Sequence, residues 1–436
     1  MNTLLRCTPS ISLALAFGLC QPVSALGDDA VQLAQSVALD TQLDTATGVR
    51  NEAAEPTTAP AELLRLAFDA SSKFPLDPHA KNRSRQQLRS LEALLQLDEA
   101  DVALELAAEI ADWRRGSALA AIALHLAERN AQQGAEPADR AEIEALLNDA
   151  AAVAEELARD ADSQAWRRDE IRARIARTYR ALGELKRAAF FEADLAASEA
   201  TDVAAARARQ APAADFDAQL ARLDAIAATE GLDERLVAIS GFAALYDRFY
   251  ADAERRELLE ARVREECDTL PLQVRIDNFT LLTEFALQHG DHVTGLRLAK
   301  ELRRVAADNR WLPQDQIPLT GRIAMLLLRA GDAETARHEV DIALAMYRSS
   351  EERIVDIFRS ETLLPLAEAR HALGDGKAAR ALYLEALQAG ALNPNARPRC
   401  EDLVGACVSL ALNGVPLDAA LYERLRAIDA GLVAPW

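Results

Sequence analysis

The residues whose types and spacing suit chemistry are few. His289-Gly290-Asp291-His292 sets two imidazoles and a carboxylate within four positions, a donor set that zinc accepts. A closed zinc site needs four ligands, and no further distant donor stands out. The segment therefore reads as a polar turn between two helices. Trp113-Arg114-Arg115 and Trp166-Arg167-Arg168 form a second pair of segments. Indole beside guanidinium suits stacking on a sugar or an aromatic ligand. The matching position in two segments points instead to packing between helical hairpins. No G-x-S-x-G, Walker loop, H-E-x-x-H or C-x-x-C occurs. Doubled carboxylates such as Glu155-Glu156 and Glu265-Glu266 read as solvated helix faces. The expectation is a protein with no cofactor, no metal and no catalytic residues, and not an enzyme.

Cysteine chemistry points the same way. Cys7 and Cys20 fall in the first 25 residues, leaving Cys267, Cys400 and Cys407. On one helix, Cys400 and Cys407 would sit ~10.5 Å apart, and a disulfide needs Cα atoms within ~7 Å. Three buried thiols are expected, unless Cys400 lies in a loop that folds back.

The elements that must position these residues follow from composition. The chain has 436 residues, is 50% hydrophobic and carries only 5% aromatics. That is enough to bury a large core and too few aromatics for an all-β sandwich. Asp and Glu number 69 against 49 Lys and Arg, a net charge of −20. Such a chain is a poor partner for nucleic acid and for anionic lipid. Residues 1–25 read as a secretory signal peptide: Arg6, the apolar run Ile11 to Cys20, then Val23-Ser24-Ala25 as cleavage site. Residues 26–60 read as a flexible acidic, Ala- and Thr-rich leader. The mature chain is expected to have no transmembrane segment.

From residue 61 to 436, Ala, Leu, Glu and Arg dominate, all strong helix formers. Apolar residues recur at three- and four-residue spacing, as in Ala103, Ala107, Ile110 and in Leu119, Ile122, Ala123, Leu126. Gly290-Asp291, Gly331-Asp332, Gly374-Asp375 and Gly414 punctuate the second half at steps of about 40 residues, the unit of helical-hairpin repeats. Gly suits the left-handed close of one helix, and Asp caps the next. Asp98-Glu99 and Ala251-Asp252 look like degenerate turns of the same kind. The fold class is expected to be all-α, with eight or nine stacked antiparallel hairpins and Leu403 to Leu425 as a C-terminal cap.

Leu366 to Leu387 resembles a tetratricopeptide repeat, with Ala367, Ala379 and Ala386 at the small crossing positions and Tyr383 as the aromatic. Ile323 to Leu344 is similar, with Ala324, Ala336 and Ala343. Ile175 to Leu195 and Leu282 to Leu302 match less well. The resemblance implies a right-handed α-solenoid that binds a protein or peptide along its concave face. Carried over position by position, it implies that Arg177, Arg180, Glu284, Gln288, Met325, Arg329, Glu368 and His371 line that face. The resulting expectation is a periplasmic or secreted, non-catalytic interaction scaffold, of bacterial origin by its Arg and Ala bias. The alternatives are a glycan- or small-ligand-binding envelope protein, or an enzyme with dispersed site residues, and, more weakly, a structural subunit of an envelope secretion or pilus assembly.

Overall fold

The computed structural model describes residues 59–133, 137–159, 165–193, 195–229 and 231–436. The expected signal peptide, and the expected leader up to residue 58, lie outside them. Among the described residues there are nineteen α-helices and no strand. In chain order they are α1 Pro60–Ser72, α2 Leu76–Gln96, α3 Ala100–Ala107, α4 Arg114–Gln133, α5 Pro137–Arg159, α6 Ala165–Ala181 and α7 Leu185–Glu192. Then come α8 Ala197–Arg209, α9 Phe216–Ala227, α10 Leu232–Arg248, α11 Ala253–Cys267, α12 Leu272–Gln288 and α13 His292–Ala307. The last six are α14 Pro313–Arg329, α15 Ala333–Ser350, α16 Asp356–Ala372, α17 Gly376–Ala391, α18 Ala396–Leu412 and α19 Ala419–Ala430. None of them is long and apolar enough to cross a membrane.

The turns behave as their chemistry requires. Gly290, Gly331, Gly374 and Gly414 all take positive φ, and Gly183 does the same between α6 and α7. At the α2–α3 turn the left-handed position is filled by Asp98, at φ 61°, a residue type that tolerates it better than most. Asp291, Asp332 and Asp375 each accept the backbone N–H three residues on, as do Asp252 and Asp418. Two prolines lie inside helices, Pro318 in α14 and Pro365 in α16. The small crossing residues Ala324, Ala336, Ala343, Ala367, Ala379 and Ala386 are all fully buried.

Each even-numbered helix from α2 to α18 packs against the next even-numbered one, and α18 packs against both α2 and α1. The contacts thus form a closed cycle of nine helices among the described residues. Odd-numbered helices contact mainly their flanking even ones. Helices that touch their like on both sides occupy the shorter, inner circumference, so the even set is the inner layer. Neighbouring inner helices run the same way. Gly405 approaches Leu364 while Glu368 meets Ser409, so α16 and α18 advance together. Arg85 pairs with Glu401 while Arg89 approaches Gly405, so α2 and α18 do likewise. The segment expected to cap the stack is therefore where the two described ends of the chain meet. One apolar cluster holds Leu64 and Phe74 together with Leu403, Cys407 and Leu425 across that junction.

Candidate binding surface

All eight residues expected on the concave face lie on inner helices, but they do different things. Arg177 on α6 pairs with Asp202 on α8 at 3.2 Å. Arg180, one turn along, faces the outer layer instead. Its guanidinium forks onto Glu192 of α7, whose second oxygen also accepts from Arg207 at 2.6 Å. Glu192 is 6% and Arg180 10% exposed at the side chain, and Arg207 26%, so this is a structural triad around a buried carboxylate. Burial alone would raise the Glu192 carboxyl, but Arg180 and Arg207 hold it below its ordinary value.

Glu284 on α12 is half-buried, and burial raises its carboxyl against the opposing pull of Arg329 on α14. Arg329 is exposed and its carbonyl accepts from His292 Nδ1 at 3.1 Å. Met325 packs partly buried against the core, and Gln288 and His371 are half-buried. Glu368 on α16 accepts Ser409 Oγ at 2.5 Å, and Tyr383 Oη lies 2.9 Å from the same hydroxyl. Burial raises the Glu368 carboxyl.

The structure adds residues that sequence reasoning passed over. Arg174 on α6 reaches across α4 to Glu92 on α2 at 2.9 Å. Such a span is short only on the inside of a curve. Arg89 on α2 is exposed, yet burial lowers its proton affinity, with Glu361, Glu368 and Glu401 pulling the other way. Both statements hold for a side chain in a recess walled by protein and open to water on one side. Asp277 and Asp402 are likewise raised by burial, Asp402 to about 8 with Glu361 and Glu401 adding to the effect. The only available signal for these positions was a polar residue on an otherwise buried helix face.

Arg89, Arg322, Arg329 and Glu361 are exposed inner-layer side chains, and none makes a side-chain hydrogen bond or ion pair among the described residues. In the outer layer Arg187–Glu144, Arg264–Glu301 and Arg348–Glu385 tie one hairpin to the next across 37 to 43 positions, while Lys186, Arg304, Arg337 and Lys377 there are exposed and also make no ion pair among the described residues.

The other sequence clusters resolve into structure. His289 Nε2 meets Asp247 at 2.8 Å and its ring stacks on Tyr250, while Asp291 accepts Tyr250 Oη at 2.9 Å and caps α13. The two imidazoles thus serve separate partners, and no group of potential metal ligands gathers among the described residues. Trp113 and Trp166 pack edge to face at 5.2 Å, with Arg114 over one ring and Arg167 over the other. Cys400 and Cys407 are unbridged thiols on one helix, and Cys267 is also buried and free.

No protein-family model matches the chain, and no curated protein matches it either.

Proposed function

We propose that this protein is a non-catalytic interaction scaffold, built of tetratricopeptide-like hairpins, that holds a protein or peptide segment against its inner wall. The observation that carries the reading is a set of solvated, unpaired charges on the inner layer, Arg89, Arg322, Arg329 and Glu361. Nine helices on a regular circle, at the usual spacing of about 9 Å, would stand roughly 26 Å apart between opposite axes and leave about 15 Å between them. That width admits an extended segment or a single helix. The reading of residues 1–25 as a secretory signal peptide supports a site of action in the periplasm or outside the cell.

The test is recovery of partners from the protein's own cells, with identification by mass spectrometry. One dominant protein should be recovered with the wild type. Arg322→Glu combined with Arg329→Glu should reduce its recovery roughly tenfold, the loss of a buried charge-assisted contact. Helical circular dichroism should not change. Undiminished recovery with the doubly substituted wall would remove the wall as the binding surface. Glycan binding through Trp113 and Trp166 has little in its favour, because each indole is already occupied by the other.

A further inference from the structure

The apolar side chains exposed to solvent are unevenly placed. Thirteen large ones are exposed among the described residues. Six of these lie where four inner helices begin. Leu312 precedes α14, Val355, Ile357 and Phe358 open α16, Leu392 precedes α18, and Leu76 opens α2. These four helices are consecutive around the cycle and run the same way, so the six residues share one rim.

The area is large for a solitary surface. Exposures run from 38% for Phe358 to 75% for Leu392. At roughly 150–250 Å² per large side chain, the six leave on the order of 600 Å² bare. That is the upper end of what a monomer carries as its largest patch. Two such patches in contact would bury about 1,200 Å², the size at which specific interfaces begin.

The charges beside the patch say which partner fits. Glu352 and Arg397 are exposed on the same rim, and neither has an ion-pair partner among the described residues. A two-fold contact brings opposite signs together twice, Glu352 to Arg397 and the reverse. A lipid surface fits less well. Glu351, Glu352 and Asp356 flank the apolar residues on a chain of net charge −20, and anionic headgroups would repel them.

We propose that this rim, at the N-terminal ends of α14, α16, α18 and α2, is a docking surface for a second copy of the chain. The dimer is isologous, with the apolar residues at its centre and Glu352 and Arg397 at its edge. It does not depend on what the inner wall binds.

Sedimentation equilibrium of the whole protein up to about 100 µM tests this. The wild type should be dimeric. Ile357→Glu with Phe358→Glu should raise the dissociation constant roughly a hundredfold, as loss of a central apolar anchor does, with helical content unchanged. Val293→Glu, which alters a side chain 83% exposed on outer helix α13, should leave the dimer intact. Glu352→Arg and Arg397→Glu should each weaken the dimer, and together restore it. A wild type that stays monomeric overturns the proposal. So does a dimer that survives Ile357→Glu with Phe358→Glu. Binding of a monomer to phosphatidylcholine vesicles, lost in that same variant, would assign the rim to lipid instead.

Discussion

Arg85 and Glu401 lie 316 positions apart in the chain and 2.9 Å apart in space. Lys73 and Asp429 meet at 2.7 Å across the same junction, and the rings of Phe74 and Trp436 are 4.8 Å apart. An open stack of hairpins has two free ends, each needing a polar cap. Here the ends bury each other. Exposed ion pairs contribute little, so the apolar contact does most to hold the junction.

Phe74→Ala tests that closure. Phe74 is 1% exposed, and its truncation should cost about 3–5 kcal/mol in urea unfolding. The loss should also appear far away in sequence. Amide protons of α18 should exchange faster, because the cluster that Phe74 joins includes Leu403 and Cys407. Faster exchange confined to α1 and α2 would mean that the junction carries no stability.

Helix approach is tightest where glycine permits it. A Cβ on Gly321 of α14 would lie 3.0–3.1 Å from Pro365 of α16, backbone atoms included. Gly321→Ala must therefore push two inner helices apart, at a cost of about 1–3 kcal/mol. Gly376 opens α17 with nothing within 4 Å of the position a Cβ would take. Gly376→Ala should be neutral or stabilising by about 0.4–1 kcal/mol, through the unfolded chain. Thermal unfolding of the pair separates crowding from chain entropy. Equal losses in both would rule out the close approach as the cause.

The triad around Glu192 is a stability element rather than a binding one. Glu192→Ala leaves the Arg180 and Arg207 guanidiniums without their carboxylate and should cost about 3–5 kcal/mol. The held-down Glu192 carboxyl also sets a pH dependence. Its contribution is full above the unfolded carboxyl range near 4 and is lost as pH falls through its lower folded value. The gap between wild type and Glu192→Ala in urea titrations should therefore narrow in acid. A gap that stays constant to pH 2 would mean that the triad contributes by packing alone.

These cases show what was legible in the sequence. The Gly-Asp turns could be read because turn and cap chemistry is local, and Asp291, Asp332 and Asp375 cap as their position predicts. The small crossing alanines could be read because burial demands small volume where helices meet. Arg177 and Arg180 could not be told apart. They sit three positions apart on α6, about 300° around the axis, and whether each meets α8 or α7 depends on how those helices dock. Closure of the cycle was not legible either. It joins residues more than 300 positions apart, and no single residue marks it. Arg89 and Asp402 look like ordinary polar helix positions until the ring places both in one recess.

Asp402 carries the sharpest pH prediction. It sits on α18 against Gly390, and Asn393 Nδ2 donates to its Oδ2 at 3.1 Å. Burial, with Glu361 and Glu401 nearby, pushes its carboxyl up to about 8, and the Asn393 bond and Arg89 only partly offset this. The unfolded value is near 3.9. The folded state thus binds this proton more tightly than the unfolded one. Stability from this group is full below about pH 4 and is lost as pH rises toward 8. Asp402→Asn cannot ionise and keeps an oxygen for Asn393. Relative to wild type, the variant should gain stability steadily between those limits and no further above them. Urea unfolding at pH 4, 6 and 8.5 measures the difference directly. A variant that instead loses stability toward neutral pH would show that Asp402 is ionised and held by Arg89, and that the recess stabilises negative charge.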